Sequence, residues 1–565
     1  MSTLLSLPFE VAQLIYDSLS YTDRYTLLCV CKDWHHLFHG RFYRSVTISN
    51  RNKLRRFIQS IPGLGHHIRE LTLRANKMTT KEIGMLQSYG SSIEALHLDW
   101  RIWTYWHTLD KTEEGIPRLM IPFLQSFTRL TQLTLDTAWF RNVSLIDIFA
   151  HMPRVNDLTL SDIRKTITTA YVESIHKCLP SLHRLVLHGL KAAPGILRES
   201  YTPAIHLQTF RLDCFHSSYH PLWLIYFAHK YPSLQHLSFQ HILEDKERHE
   251  VKRRRQHQEQ QCETAFALFA RHCRNLKSLG WHAIVPPDVR LFRALADIGT
   301  SLDHLSFHQV HDACHHSSKK KEQAEVRDTT WLDIPSLSLS FWTPSLKDFR
   351  KLRHLTLRAV TANQDRVDLG TILSSCRQLE SLAVDNWDIA SSARTMANHP
   401  LIRFSAQHCL LADTTIDNLA KTCLNMIHLK LFDCTVSGQN VVSLRLPQHA
   451  LQSIDIQHLK TSVTQKRIKV FALANEVGRR WYYMTRFKTR QDSQQRMWDE
   501  ATELTCLDIH TATWVEASYK SPATIPVRTK TIQRKLLRDV LCGYLHLECR
   551  SVRLLLVNNR RVCLE

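Results

Sequence analysis

The chain has 565 residues, of which 44% are apolar, enough for several cores or one long repeated array. Its 73 Lys/Arg against 52 Asp/Glu give a net charge of +21, which favours an acidic partner. Only 14 residues are Gly, which excludes a Gly-rich linker protein, and the nearest approach to a membrane span, Ile334 to Leu346, is short and broken by Pro335, Pro344 and four serines.

The first 42 residues read as two or three short helices. Pro8 suits a first helical turn, where its missing N–H costs nothing, and Glu10 suits the positive end of the helix dipole. Val11, Ile15 and Leu19 recur every four residues with Leu14 beside them, which predicts one apolar face. Thr22 or Asp23 is placed to cap a second helix, on which Leu27, Val30, Cys31, Trp34, Leu37 and Phe38 fall at helical spacing. So small a body cannot bury that much apolar surface alone. Glu10 and Asp17 interrupt the first apolar segment, so it does not read as a secretory signal. The 15 scattered Cys then read as reduced, intracellular thiols, in the cytoplasm or the nucleus.

The set Leu7-Pro8-x-Glu10, Ile15, Leu19, Asp23 and Val30-Cys31-Lys32-x-Trp34 resembles the F-box family. The resemblance implies docking onto a Skp-type adaptor and, through it, a cullin-based ubiquitin ligase. Leu7, Pro8, Glu10, Ile15, Leu19, Val30, Cys31 and Trp34 would be the adaptor-binding residues. The plainer reading of the same helices is a cap closing a solenoid.

From there the unit apolar-x-x-apolar-x-apolar recurs. It appears as IRELTL (68–73), IEALHL (93–98), LTQLTL (130–135), VNDLTL (155–160), LHRLVL (182–187), LQTFRL (207–212), LQHLSF (234–239) and LKSLGW (276–281). It continues as LDHLSF (302–307), LRHLTL (352–357), LESLAV (379–384), LIRFSA (401–406), MIHLKL (426–431), LQSIDI (451–456) and LTCLDI (504–509). Most starts lie 22–27 residues apart, and the gap of 53 before the last leaves room for a degenerate repeat near Trp481 to Phe487. Each unit predicts a short strand with its fourth and sixth side chains inward, followed by a helix, as through Val172, Ile175 and Cys178. Tyr43-x-x-Val46-x-Ile48 obeys the rule one period earlier, so the opening helices should run into a strand zero and a helix through Leu54, Phe57, Ile58 and Ile61. The pattern resembles leucine-rich repeats. Cys273, Cys376 and Cys423, each three residues before a strand's first apolar position, resemble the cysteine-containing variant common in F-box proteins.

The fold class expected is therefore α/β: a small helical F-box (1–42) followed by a leucine-rich-repeat solenoid (43–565) of about 15–17 repeats, with a curved parallel sheet inside and helices outside. Insertions near 99–117, 244–261 and 311–328, the last two mixed in charge, read as exposed loops. His311, Cys314, His315 and His316 lack the ligand set of a closed zinc site.

No catalytic pattern is present: no phosphate-cradling Gly-rich loop, no Gly-x-Ser-x-Gly elbow and no His-Glu-x-x-His. The expectation is a non-catalytic receptor with no cofactor and no metal. Third and fifth strand positions should face away from the core in parallel rows. Among them Arg184, Arg211, His236, His304, His354, Arg403, His428 and Lys430 are the candidates for target binding, with Asp455 and Asp508 also at fifth positions. Trp100, Trp139, Trp281 and Trp387 are either interface anchors or packing between turns. Residues 466–496 hold nine Lys/Arg against two acids, and 520–538 hold six and no acid, so the less regular stretch 460–545 is basic. It suits an acidic or phosphorylated target protein. With Trp481, Tyr482, Tyr483 and Trp498 nearby, the alternative is a scaffold or nucleic-acid-associated solenoid without a ligase role, though no recognised nucleic-acid module fits.

Overall fold

The structure, a computed structural model, describes residues 8–74, 78–99, 102, 115–138, 145–193, 201–217, 221–241, 263–283, 289–297, 302–309, 343–391, 398–438, 441–476, 478–486, 502–520, 531–558 and 560–562. Leu7, Trp100, Trp139 and Trp498, the insertions 244–261 and 311–328 and most of 99–117 lie outside them. The chain divides into two compact units, residues 1–275 and 276–565. No helix among the described residues is long and apolar enough to cross a membrane.

The first unit opens with α1 (Phe9–Ser18), α2 (Tyr21–Leu28) and α3 (Lys32–Phe42). Their boundaries correct the sequence reading. Pro8 is the N-cap of α1, one residue outside the helix, and its carbonyl accepts from the N–H of Val11 and Ala12. Ser20, not Thr22 or Asp23, caps α2: its Oγ accepts from the Asp23 N–H at 3.2 Å and donates to the Asp23 carboxylate at 2.6 Å. Val30 sits in a turn and Cys31 is the N-cap of α3, so the apolar run from Leu27 to Phe38 spans two helices.

The predicted strand zero is present. β1 (Ser45–Ile48) pairs in parallel with β2 (Glu70–Leu73), Ser45 opposite Glu70 and Ile48 opposite Leu73. α4 (Arg51–Leu64) follows it, capped by Asn50 and burying Leu54, Phe57 and Ile61. The parallel ladder continues through β3 (Ala95–Leu98), β4 (Gln132–Asp136), β5 (Asp157–Ile163), β6 (Arg184–Ala192), β7 (Thr209–Ser217) and β8 (His236–His241). Each strand begins at the third position of its hexad, and the fourth and sixth side chains are buried: Leu71 and Leu73, Leu158 and Leu160. Parallel strands covered by helices must bury this face, which is why every hexad repeats the same apolar spacing.

The helices of this unit include α5 (Thr80–Tyr89), α6 (Gly115–Gln125), α7 (Leu145–Phe149), α8 (Thr169–Cys178) and α9 (Pro221–Lys230). α5 starts with a reciprocal cap between Thr79 and Glu82, and Glu82 also holds Arg51 at 2.7 Å. Between α8 and α9 lies a buried polar network. The Lys230 ammonium, 3% exposed, donates to Glu173 at 2.7 Å and to the Thr202 carbonyl at 2.7 Å. The Tyr226 hydroxyl donates to the same carboxylate at 2.8 Å, and His176 Nε2 lies 3.0 Å from the Tyr231 hydroxyl. Burial, with Lys230 nearby, pushes the His176 imidazole down to about 3, so it stays neutral.

In the second unit the ladder runs β9 (Ser278–Ala283), β10 (His304–Gln309), β11 (His354–Asp368), β12 (Ser381–Ala390), β13 (Arg403–Gln407), β15 (His428–Phe432) and the second half of β17 (Val441–Gln457). A second parallel row, β14 (Leu410–Leu411), β16 (Thr435–Val436) and β18 (Lys460–Thr461), lies just beyond it. The turn between the rows has one conformation: Asn386, His408, Asp433 and His458, at the eighth position of their repeats, all have φ between 47° and 63°. Asn, Asp and His tolerate this left-handed region better than most residues. Cys376 and Cys423 are buried at helix-to-strand joins, as is Cys273 in the first unit, and burial pushes all three thiols up to about 12. They pack as small apolar side chains. Trp281 and Trp387 are likewise buried, not surface anchors.

The array ends differently from the sequence reading. LTCLDI is not a repeat strand. Its first residues belong to β21 (Thr502–Cys506), which pairs antiparallel with β20 (Gly478–Arg486), itself antiparallel to β19 (Val470–Asn475). Asp508 is not on the sheet face but begins α10 (Ile509–Lys520), its carboxylate accepting from the Thr511 N–H at 2.9 Å. The degenerate repeat expected at Trp481 to Phe487 is the β19–β20 hairpin. The next parallel strand beside the second half of β17 is instead the second half of β22 (Tyr544–Val557). The first half of β22 pairs with Val441–Leu446 and with β19, building a mixed sheet where a repeat would place a helix. α10 and α11 (Thr531–Leu541) cover that sheet through Val470, Ala472, Trp481, Tyr483, Val515, Leu536 and Val540. Trp481, Tyr482 and Tyr483 are therefore buried and cannot stack on bases.

Candidate functional site

Two surfaces hold the residues singled out in the sequence. The first is the opening helices. Their core is small: Ala12, Tyr16, Leu28 and Phe38, with Leu27, Trp34, Leu37 and Phe42 packed against it. Tyr16 stacks on Phe38 at 5.0 Å, and Trp34 meets Phe38 edge-on at 6.4 Å. Arg24 and Arg41 bracket the Tyr16 ring, and both tie down the end of α1: Arg24 donates to the Tyr16 and Asp17 carbonyls, Arg41 to the Asp17 carboxylate.

The face predicted from Val11, Leu14 and Ile15 exists, but it points to solvent. Leu14 is 70% exposed and Val11 and Ile15 39% each. Tyr21, Tyr25 and Val30 are exposed as well, so every large exposed apolar side chain described before Tyr89 falls between residues 11 and 30. The named adaptor candidates divide accordingly. Pro8, Glu10, Ile15, Val30 and Cys31 are exposed, Leu19 is half-buried at the end of α1, and Trp34 belongs mainly to the core. Tyr21 and Tyr25 were not singled out by sequence. Their signal was spacing: four residues apart on α2, they share a face.

The second surface is the row of third and fifth strand positions. In the first unit the third-position row reads Glu70, Ala95, Gln132, Asp157, Arg184, Thr209 and His236. The arginines of this face are already paired: Arg184, in the row, holds Asp157 at 2.9 Å, and Arg211, at a fifth position, holds Asp213 at 2.6 Å. Burial raises the Asp213 carboxyl, but hydrogen bonds from His188 and Arg211 outweigh it and leave the group below its ordinary value.

In the second unit the row reads Ser278, His304, His354, Ser381, Arg403, His428 and Ser453. The His304 and His354 rings lie 6.0 Å apart, and His428 Nδ1 is 2.7 Å from the Ser453 hydroxyl. Partial burial, then the neighbouring Arg403 charge, hold His428 below its ordinary value. Arg403 and Lys430, on adjacent strands, make no ion pair among the described residues. The candidates thus fall into two groups: Arg184, Arg211 and His236 in the first unit, and His304, His354, Arg403, His428 and Lys430 in the second.

Residues 4–49 match the family model described as F-box-like. Among solved structures, the chain is similar to an internalin from Listeria monocytogenes, at 13% identity over 66% of this chain and 78% of that one, with a TM-score of 0.29. It is also similar to the leucine-rich repeat-containing protein LegL7 from Legionella pneumophila (11% identity, 62% and 87% covered, TM-score 0.30). A third is Toll in the Toll–Spatzle complex from Drosophila (12% identity, 70% of this chain and 47% of that one, TM-score 0.31). The search of curated proteins found no match. With its parallel hexad ladder and its matched N-terminus, the chain has an F-box/leucine-rich-repeat architecture.

Proposed function

We propose that the protein is the substrate-recognition subunit of a Skp-cullin-F-box type ubiquitin ligase. The observation that carries this reading is the apolar surface at residues 11–30, exposed on a module whose own core is four residues. Exposed apolar residues this concentrated mark an interaction site, and the stretch lies within the F-box-like match. The occupant would be a Skp-type adaptor, and through it a cullin ligase in the cytoplasm or the nucleus. The chain would be non-catalytic. It would raise the effective concentration of target lysines near a charged conjugating enzyme. The continuous pairing of β1 with β2 supports a fixed angle between the adaptor face and the repeats. The target would be an acidic or phosphorylated protein, met by the second unit's sheet face at Arg403, His428 and Lys430, where neither Arg403 nor Lys430 makes an ion pair among the described residues.

The test is co-purification of the full chain with a Skp-type adaptor. Leu7→Ala with Pro8→Ala, and separately Ile15→Glu, should abolish capture while the circular dichroism of the repeats is unchanged. A folded wild-type chain that captures no such adaptor overturns the reading.

A further inference from the structure

We propose that a cleft between the opening helices and the first two strands binds the phosphate groups of a small phosphorylated ligand. The cleft has a volume of about 330 Å³, and among its lining residues are Gln13, Gly40, Arg41, Arg44, His67 and Arg69. Among the described residues no carboxylate lines it. Arg41 comes from the end of α3, Arg44 from the residue before β1, and Arg69 from the residue before β2. Arg69 is anchored, its Nη1 donating to the His66, Ile68 and Ser92 carbonyls, so a group held chiefly by Arg44 beside Arg41 and Arg69 spans the joint between the helical module and the repeats.

The charge at this joint is unbalanced. Arg41 holds Asp17 and Arg69 holds Glu94 at 3.4 Å, both acids lying outside the cleft lining. Arg44 has no ion-pair partner among the described residues. Five histidines crowd the same joint: the His35 and His39 rings are 4.6 Å apart, His39 and His67 5.3 Å, His66 and His67 3.8 Å, and His36 lies beside His35. Gly40 is what lets α3 approach His67, since a Cβ there would meet His67 Nδ1 at 2.8 Å.

The field at the site is also visible in its imidazoles. Burial, then the neighbouring His66 and Arg69, hold His67 below its ordinary value, and burial, then the other histidines, do the same to His39. Burial is the first cause, and the positive charge in excess at the joint adds to it. An anion relieves that excess. Guanidinium groups take phosphate oxygens in pairs of parallel hydrogen bonds, and the tetrahedral oxygens of a phosphate can be shared among several guanidiniums, where a carboxylate offers only two coplanar oxygens. The volume suits one small molecule and not a protein segment. The proposal does not depend on the ligase reading, because it concerns the chain alone.

The experiment is calorimetric titration of the purified full chain with pyrophosphate at constant ionic strength, repeated with citrate. Saturable pyrophosphate binding is expected. Arg44→Ala should weaken it roughly tenfold, the loss of about one charge-assisted hydrogen bond. Arg553→Ala, an equally exposed arginine of the second unit, should leave it unchanged. Arg44 and Arg553 are both exposed, so neither substitution opens a core, and circular dichroism checks that both variants fold. Absence of saturable heat, equal effects of the two substitutions, or citrate binding as tightly as pyrophosphate would each overturn the proposal.

Discussion

The opening helices and the repeats place their apolar side chains in opposite ways. In the repeats, the inward strand positions are shut from solvent: Leu71, Leu96, Leu133 and Leu158 are at most 1% exposed. In the helices, Leu14 is 70% and Tyr21 73% exposed. The difference is one of neighbours. A repeat has a similar repeat on each side, so its strand and helix are covered by the stacking itself. The helical module has the array on one side only, and its apolar surface stays exposed.

The largest test of this contrast is charge buried within the stack. Glu173→Ala leaves the Lys230 ammonium in a site 3% exposed, without its carboxylate. It should cost about 3–5 kcal/mol, read as a fall in the denaturant midpoint of the first unit. Next comes a matched pair of leucines. Leu160→Ala, wholly buried in β5, should cost about 2–5 kcal/mol. Leu14→Ala should stay within about 0.5 kcal/mol, while weakening adaptor capture. Similar losses at Leu160 and Leu14 would break the distinction between the two regions.

Regular repetition also explains which parts could be read in advance. The hexads placed strands at their third residue from Glu70 to Ser453, and Val46 and Ile48 placed strand zero, because stacking imposes one spacing on every repeat. The pattern failed where the chain stops repeating. LTCLDI has the right apolar spacing, yet β21 pairs antiparallel, because spacing encodes which side chains turn inward and not which strand lies alongside. β22 was missed because one long strand serves two successive pairings, first with β19 and Val441–Leu446 and then with the second half of β17. At the candidate sites, residue types were legible but pairing was not. Nothing in the local sequence tells that Arg184 meets an acid 27 residues earlier while Arg403 meets none among the described residues. Nor did apolar spacing on α1 say whether that face would be covered.

A pH experiment sharpens the comparison further. His176 is held at about 3 in the folded state, against about 6.5 when exposed. Between those values the unfolded chain binds a proton that the folded chain refuses. Stability contributed by this group is therefore complete above about pH 6.5 and falls as the pH is lowered toward 3, by about 1.4 kcal/mol per unit at most. His176→Asn should flatten that part of the acid limb relative to wild type, in urea titrations of the first unit from pH 7 to 4. An unchanged slope would mean that the α8–α9 network admits water or a counter-charge on acidification.

The smallest effects concern helix caps, and they separate the regions most finely. Ser20 caps α2 and Thr79 caps α5. Each serves one or two orphan backbone donors, so each substitution to Ala should cost about 1 kcal/mol locally. The two losses should be felt differently. α5 is fixed by Ile83 and Leu86, buried in the stack, so Thr79→Ala should subtract from the stability of the first unit as a whole. α2 buries only Leu28. Ser20→Ala should therefore fray α2 by itself, raising amide exchange at residues 21–28 about fivefold while the strands keep their protection. Adaptor binding would then slow the exchange again, because a partner covering Tyr21 and Tyr25 supplies the neighbour that the array supplies to the repeat helix α5.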